Sequence, residues 1–445
     1  MQLIINFLYN YFQYHSLAFL KKHHTIEPSL TRRIHNAILF IYCQTVNYLE
    51  VVLIGLKYFF IKIFSLGLIL ATLIYIRHLI YAISLTIQRI ARQAKNRWLL
   101  GCVTLKGHTA AIHSAQWSPD GNRVITGSLD GTVRIWNRQT GTSLPILSNH
   151  FYPISDVAWS TDGSLIATTA QDSTSYLCNA QDGQLIHVLT CHDGDSHEIV
   201  FSPDNKLLAT GTVTGHIYIW NTKSGKLEHI LQGHTESITA LAWSQDGSLL
   251  ITTSMDGTSR IWDITTGGTL HTLFDTYDTF FMTTVIPGST AHVLQVDISP
   301  CGQFIATGSI LGTVALWDIR SGKLQERLTD HTGSIQKLKF SPNGSLLASA
   351  STDDTVRIWD SVNCECLHTL YGHTDGARAM AFSPDGHTLA TADGTGTLFI
   401  RDTANGTCLR TINAHDDRIN SLTFNSYGTH LLSASRDCTA RIWKI

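Results

Sequence analysis

Histidine, serine and aspartate, the residue types of a nucleophilic hydrolase, recur together four times in this 445-residue chain: His108 with Ser128 and Asp130, His234 with Ser254 and Asp256, His331 with Ser351 and Asp353, His415 with Ser435 and Asp437. Acyl transfer uses one such set. Four copies at one spacing point to a repeated structural unit, so no catalytic residue is assigned. Metal chemistry fares no better. The nine cysteines are scattered and odd in number, which fits reduced thiols better than a disulfide framework. The close pair, Cys364 and Cys366, lacks the second pair that a zinc site needs. No phosphate-cradling loop is visible after residue 104. The expectation is a protein without a cofactor, a metal or an enzymatic reaction.

The elements that position these residues follow from a period of 42. His108, His150, His192 and His234 are evenly spaced by that step, and so are His331, His373 and His415. Between His234 and His331 lie two steps and 13 residues more, which places an insertion within about 274–287. A second set keeps the same rhythm: Trp136, Cys178, Trp220, Trp262, Trp317, Trp359, Arg401 and Trp443. There are eight units, each reading as four short strands. In the first, Ile112–Trp117 alternates, Ser118-Pro119-Asp120-Gly121 is a turn, Val124–Ser128 and Thr132–Trp136 are strands, and a fourth lies near 143–148. Such a sheet cannot bury both faces alone, whereas radial packing against copies of itself does so.

Over about residues 104–445 the chain resembles the WD-repeat β-propeller family, through Gly107-His108, Gly233-His234 and Gly372-His373, the Ser-Pro-Asp-Gly turns, and Trp262-Asp263, Trp317-Asp318 and Trp359-Asp360. The resemblance implies a hydrogen-bonded tetrad in each regular blade. The sets are His108, Ser128, Asp130 and Trp136; His234, Ser254, Asp256 and Trp262; His331, Ser351, Asp353 and Trp359; His415, Ser435, Asp437 and Trp443. A buried indole N–H needs an acceptor, a hydroxyl can accept it and donate onward, and a carboxylate can complete the imidazole's bonding. The tryptophan thus occupies the hydroxyl that a nucleophile would need. Units 2, 3, 5 and 7 depart from the pattern, with Ala170 and Cys178, Thr214, Ser289 and Leu311, and Asp393, Thr395 and Arg401. Residues 101–106 should complete the last blade, which otherwise ends on its third strand, and so close the ring. The fold class expected is an all-β, eight-bladed propeller preceded by an α-helical, apolar N-terminal region; a seven-bladed ring with one displaced unit is the alternative.

Charge divides the chain in the same place. Residues 1–100 carry 11 Lys and Arg against Glu27 and Glu50, a net of +9, while the remainder holds 21 against 32, a net of −11. An acidic propeller repels phosphate backbones, which argues against nucleic acid as a partner. The first hundred residues include the window 58–76, whose single charge is Lys62, and a more polar one at 37–56. Beyond them, Leu79, Ile80, Ile83 and Ile87 recur at helical spacing opposite Arg89, Arg92, Lys95 and Arg97. Membrane attachment through residues 37–98 follows, with the basic flank and the propeller on the cytosolic side. The alternative is a long, soluble helical domain that packs on the propeller with these apolar residues as its core. A second likeness, carried by Ile5-Asn6-Phe7-Leu8, Tyr11-Phe12-Gln13 and Ala37–Glu50, is to the LisH region of transducin-β-like corepressor subunits. It implies a soluble, oligomeric transcriptional co-regulator in the cytoplasm or nucleus.

The WD-repeat resemblance also implies where partners bind: on the face made by loops from strand 4 to the next strand 1 and from strand 2 to strand 3. The residue before each aspartate position should point there, namely Leu129, Gln171, Val213, Met255, Ile310, Thr352, Gly394 and Arg436. Val213, Met255 and Ile310 are apolar on successive units, and the insertion beside them holds Tyr277, Phe280, Phe281 and Met282. Either these seven residues grip a partner peptide or protein, or the insertion folds its aromatics over Met255 and Ile310 and hides them. The function expected is a non-catalytic interaction scaffold.

Overall fold

The computed structural model describes residues 101–144, 150–190, 193–274 and 292–445. Their strands form eight separate antiparallel sheets, seven of four strands and one of three. Taken as blades 1 to 8, these sheets begin with the strands Ile112–Trp117, Ile154–Trp159, Ser196–Phe201, Ile238–Trp243, Val293–Ile298, Ile335–Phe340, Ala377–Phe382 and Ile419–Phe424. Each first strand packs against that of the next blade, and the eighth packs against the first. The ring is closed and has eight blades, not seven. Blade 1 is the three-stranded sheet; beyond Val133–Asn137 there is only a bridge from Trp136 to Ser143, and most of the strand expected near 143–148 lies outside the described residues.

Closure takes the form the chain order suggests. Val103–Lys106 pairs antiparallel with Thr439–Lys444, Val103 opposite Ile442 and Lys106 opposite Thr439. The outer side of Thr439–Lys444 is thereby paired, and Val103–Lys106 becomes the outermost strand of blade 8. Side chains fasten the same seam: Trp117 Nε1–H donates to the Thr423 carbonyl at 3.1 Å, and Asn420 Nδ2–H to the Ile112 carbonyl at 2.9 Å.

The core lies between blades rather than at one centre. Ile112 and Trp136 of blade 1 meet Leu105, Leu432, Ala434 and Ile442 of blade 8 in a single buried cluster. The second strand of every blade is buried at five of its six positions, as in Leu165–Ala170, because neighbouring blades cover both of its faces. Outer strands such as Leu185–Leu189 are mostly exposed. Sandwiched strands must be thin, which explains their Ala, Thr, Ser and Gly. A Cβ on Gly308 would lie 2.6 Å from Ile335 Cγ2 of the next blade, closer than any packing allows. Turns on the opposite face follow the Ser-Pro-Asp-Gly pattern: Arg123 N–H donates to Ser118 Oγ at 2.9 Å and Asn122 N–H to Asp120 Oδ1 at 3.0 Å, with Gly121 at a φ of 64°.

Among the described residues no helix is long and apolar enough to cross a membrane. The segment 37–98, the LisH-like stretch and the insertion residues Tyr277, Phe280, Phe281 and Met282 all lie outside the described residues.

Candidate functional site

The recurring His, Asp and Trp residues do converge, but on a different hydroxyl from the one expected. In blade 1, His108 Nε2 lies 2.7 Å from Thr126 Oγ1, Trp136 Nε1–H donates to that same oxygen at 2.8 Å, and His108 Nδ1 sits 3.1 Å from Asp130 Oδ2. Blade 4 repeats this with Thr252, at 2.8 Å from His234 and 2.9 Å from Trp262. Ser349 does so in blade 6 with His331 and Trp359, and Ser433 in blade 8 with His415 and Trp443. His234, His331 and His415 each pair with the expected carboxylate, Asp256, Asp353 and Asp437.

Ser128, Ser254, Ser351 and Ser435 are therefore corrected from tetrad members to loop clasps. Ser128 Oγ donates to the Ala110 carbonyl at 3.0 Å and accepts Asp130 N–H at 3.1 Å; Ser254, Ser351 and Ser435 bond the Glu236, Gly333 and Asp417 carbonyls in the same way. Residues 126 and 128 share one face of the strand, so alternation alone leaves both available. The indole decides: Trp136 lies across from Val124, deeper in the blade, and its N–H reaches residue 126 rather than the strand end. One signal was present in the sequence. Residues 126, 168, 210, 252, 307, 349, 391 and 433 are Thr or Ser in all eight units, whereas position 128 has Ala170 and Asp393 among its counterparts.

Electrostatics fix the direction of the chain of bonds. Burial lowers the pKa of His108, His234, His331 and His415 despite the adjacent carboxylates. Burial also opposes ionisation of Asp130, yet hydrogen bonds from Thr132 and from the backbone of Thr109 and Thr132 outweigh it and hold the carboxyl down at about 2. At neutral pH the imidazole is neutral and the carboxylate charged. Indole N–H then donates to hydroxyl, hydroxyl to Nε2, and Nδ1–H to carboxylate. Every polar group is satisfied and the hydroxyl is fully buried. This arrangement braces a blade; it does not attack a substrate.

The irregular blades improvise. In blade 2, His150 keeps Asp172 and Thr168, at 3.0 and 3.1 Å, and Tyr176 stacks on its ring with centroids 3.9 Å apart. Blade 3 substitutes His216 and Thr214, both bonded to Asp193. In blade 7, Arg401 stands where a tryptophan is expected and donates to the Tyr371 carbonyl. His373 there keeps Thr391 but has no partner on Nδ1, and burial with Arg401 pushes it down to about 4. Among the described residues no group of three or more His, Cys, Asp or Glu is placed to hold a metal ion.

The channel mouth is built by a second eightfold regularity. The residue before each aspartate position donates its N–H to the carbonyl just before an inner strand: Leu129 to Ala111, Gln171 to Pro153, Val213 to Asp195, Met255 to Ser237, Ile310 to His292, Thr352 to Ser334, Gly394 to Gly376 and Arg436 to Arg418. This ring of backbone bonds sets all eight residues, seven of them with side chains, around the rim. Met255 is 40 % exposed and Ile310 42 %, with Leu311 beside it at 53 %. Val213 is half-buried. Met255 and Leu129 also line a cavity of about 490 Å³ that enters the channel, together with Leu294, Gln336 and Arg436. The cavity brings Met255 together with neither Val213 nor Ile310. On its wall, burial and the neighbouring Asp156 push Glu198 up to about 8. Asp156 itself is held in place by the N–H groups of Val157 and Ile199, at 2.8 and 3.3 Å.

Eight closed blades, clasped by their own first described strand and braced by indole–hydroxyl–imidazole–carboxylate chains, define a WD-type β-propeller. Comparisons agree. Models of the WD domain, G-beta repeat, match residues 102–137, 141–178 and 406–444, and a model of the nucleolar protein 10-like N-terminal domain matches 179–401. The guanine nucleotide-binding protein subunit beta of Arabidopsis thaliana is 43 % identical over 42 residues, 9 % of this chain and 11 % of that one. Protein HIRA of Zea mays is 42 % identical over 45 residues, 10 % of this chain and 5 % of its own length. The match thus spans about a tenth or less of each of these relatives. The crystal structure of the computationally designed Ika8 protein superposes with a TM-score of 0.67 at 25 % identity, covering 77 % of this chain and 98 % of the designed one. The chain belongs to the WD-repeat β-propeller family, whose propellers act as interaction scaffolds and bind other proteins.

Proposed function

We propose that this protein is a non-catalytic scaffold whose partner surface is the channel-mouth face, centred on Met255 and Ile310 with Val213 at its margin. The ring of eight backbone bonds carries this reading. It presents seven side chains of unrelated chemistry, and Gly394, from one repeated frame, and apolar ones stand in solvent on blades 1, 4 and 5, the last two neighbours in the ring. Tyr277, Phe280, Phe281 and Met282 belong to the same proposed surface through their place in the sequence, between the last strand of blade 4 and the first of blade 5. Partner capture with the full chain tests it. Met255→Ser/Ile310→Ser and Phe280→Ala/Phe281→Ala should each lose specific partners while leaving the melting temperature unchanged. Equal recovery by folded variants would reject the surface.

Attachment to a membrane through residues 37–98 is the second half of the proposal, and it rests on their apolar and basic sequence alone. A soluble, oligomeric co-regulator is the competing reading; the match of residues 179–401 to a nucleolar protein 10-like domain fits its nuclear or soluble location and says nothing of its co-regulator role. Carbonate extraction separates the two: pelleted protein supports the membrane reading, while supernatant protein that elutes as a multimer supports the other.

A further inference from the structure

The channel mouth is not uniformly acidic, although the propeller's net charge of −11 would suggest so. Arg378 is the second residue of the inner strand of blade 7, Arg418 directly precedes that of blade 8, and Arg436 occupies the rim position of blade 8. Arg436 lines the cavity, and Arg378 donates to Gln336, another cavity residue, at 3.1 Å. Arg418 is half-buried and close enough to both for their charges to act on it: its pKa is lowered by burial and by Arg378 and Arg436, against a smaller opposing pull from Asp375 and Asp417. Elsewhere basic side chains find carboxylates: Arg357 meets Asp330 at 3.0 Å and Lys339 meets Asp297 at 2.7 Å. Among the described residues no carboxylate lies within ion-pairing distance of Arg378, Arg418 or Arg436. Three like charges held together repel each other. Asp375 and Asp417 offset this repulsion only in part and from beyond ion-pairing distance, and an anion arriving among the three arginines relieves the rest.

Opposite sign stands across the ring. Asp195 precedes the inner strand of blade 3 as Arg418 precedes that of blade 8, and blade 3 faces blade 7 in a ring of eight; Glu198 on the same strand holds its proton at neutral pH and adds little charge. Between the poles lie Leu129, Leu294 and Met255. A phosphate polymer would have to leave the short basic arc and pass Asp195 and the uncharged, apolar stretch before it. A peptide segment needs only a few carboxylates at one end and an aliphatic side chain to enter the cavity. We propose that the channel mouth binds an acidic peptide segment of a partner protein, its carboxylates on Arg378, Arg418 and Arg436 and an aliphatic side chain beside Met255. This deepens the scaffold reading above and rests on it.

The test is fluorescence anisotropy on the full chain with labelled peptides of alternating Glu and Leu, alternating Gln and Leu, and with single-stranded oligothymidylate. The Glu-Leu peptide should bind about tenfold or more tightly than the Gln-Leu peptide and weaken with added salt. Arg378→Gln/Arg418→Gln/Arg436→Gln should abolish that preference, and Arg436→Glu, at an exposed side chain, should weaken binding even if the triple variant melts early. Met255→Ser should weaken both peptides about equally. Equal affinity for the two peptides, a preference retained in Arg436→Glu, or tighter binding of the oligothymidylate through the same arginines would overturn the proposal. Should the peptides fail while partner capture still depends on Met255 and Ile310, the acidic-peptide inference falls and the scaffold reading stands.

Discussion

Asp130 and Leu129 are neighbours in the chain and opposites in constraint. The aspartate turns inward to an imidazole it must satisfy; the leucine turns outward to the rim. Inside the blades, the position of the central hydroxyl is Thr or Ser in all eight units, including the two without a tryptophan, while the eight rim positions hold Leu, Gln, Val, Met, Ile, Thr, Gly and Arg. The contrast has one physical origin. A buried donor or acceptor without a partner costs about 1–3 kcal/mol, so the interior tolerates few substitutes. A rim side chain faces water, and its identity is free to follow a partner.

The largest way to sharpen that contrast is to empty a blade. Trp262→Ala should lower stability by about 3–5 kcal/mol in denaturant melts, through lost burial and a cavity between blades 3 and 4. Smaller, and more diagnostic, is the choice between hydroxyls. Thr252→Val leaves the Trp262 N–H and the His234 ring short of a partner and should cost about 1–3 kcal/mol, more than Ser254→Ala, which frees only a loop clasp. Reversal of that order would restore the serine to the tetrad.

Acid should loosen the interior before the rim. The folded-state pKa of the tetrad histidines lies below 6.5, so the unfolded chain binds more protons as pH falls through 6.5 and stability declines. Asp130 adds a second loss between 3.8 and about 2. Glu198 works in the opposite direction: its folded pKa is raised from 4.5 to about 8, so the native state holds the proton and stability falls as pH rises between those values. Melting temperatures across pH should show Glu198→Gln gaining on the wild type from pH 5 to pH 8, about these limits. A constant difference would remove Glu198 from the titrating groups. Least of all, Met255→Ser should shift stability by no more than about 0.5 kcal/mol while changing what the protein binds.

Much of this could be read without coordinates because a repeat prints its own period. The step of 42 between His108 and His150 and the offset of 13 near residue 280 suffice for eight blades. The unpaired strand at 103–106 foretells its seat beside Thr439–Lys444. The imidazole–carboxylate pairs were also legible, since the residues recur at fixed spacing. Two features were not. Ser128 and Thr126 lie on one strand face, and only the reach of the Trp136 indole separates them. Arg378, Arg418 and Arg436 are scattered over 59 positions of a net-acidic sequence, and they meet only where two blades converge on the axis.

Composition and periodicity alone determined the class of fold, the number of blades and how the ring shuts, because a small sheet that cannot bury both faces must stack on copies of itself. Which hydroxyl each blade uses, and which charges stand together at the mouth, were decided by tertiary structure. Those outcomes depend on distances between strands far apart in the chain, and a one-dimensional pattern carries no such distances.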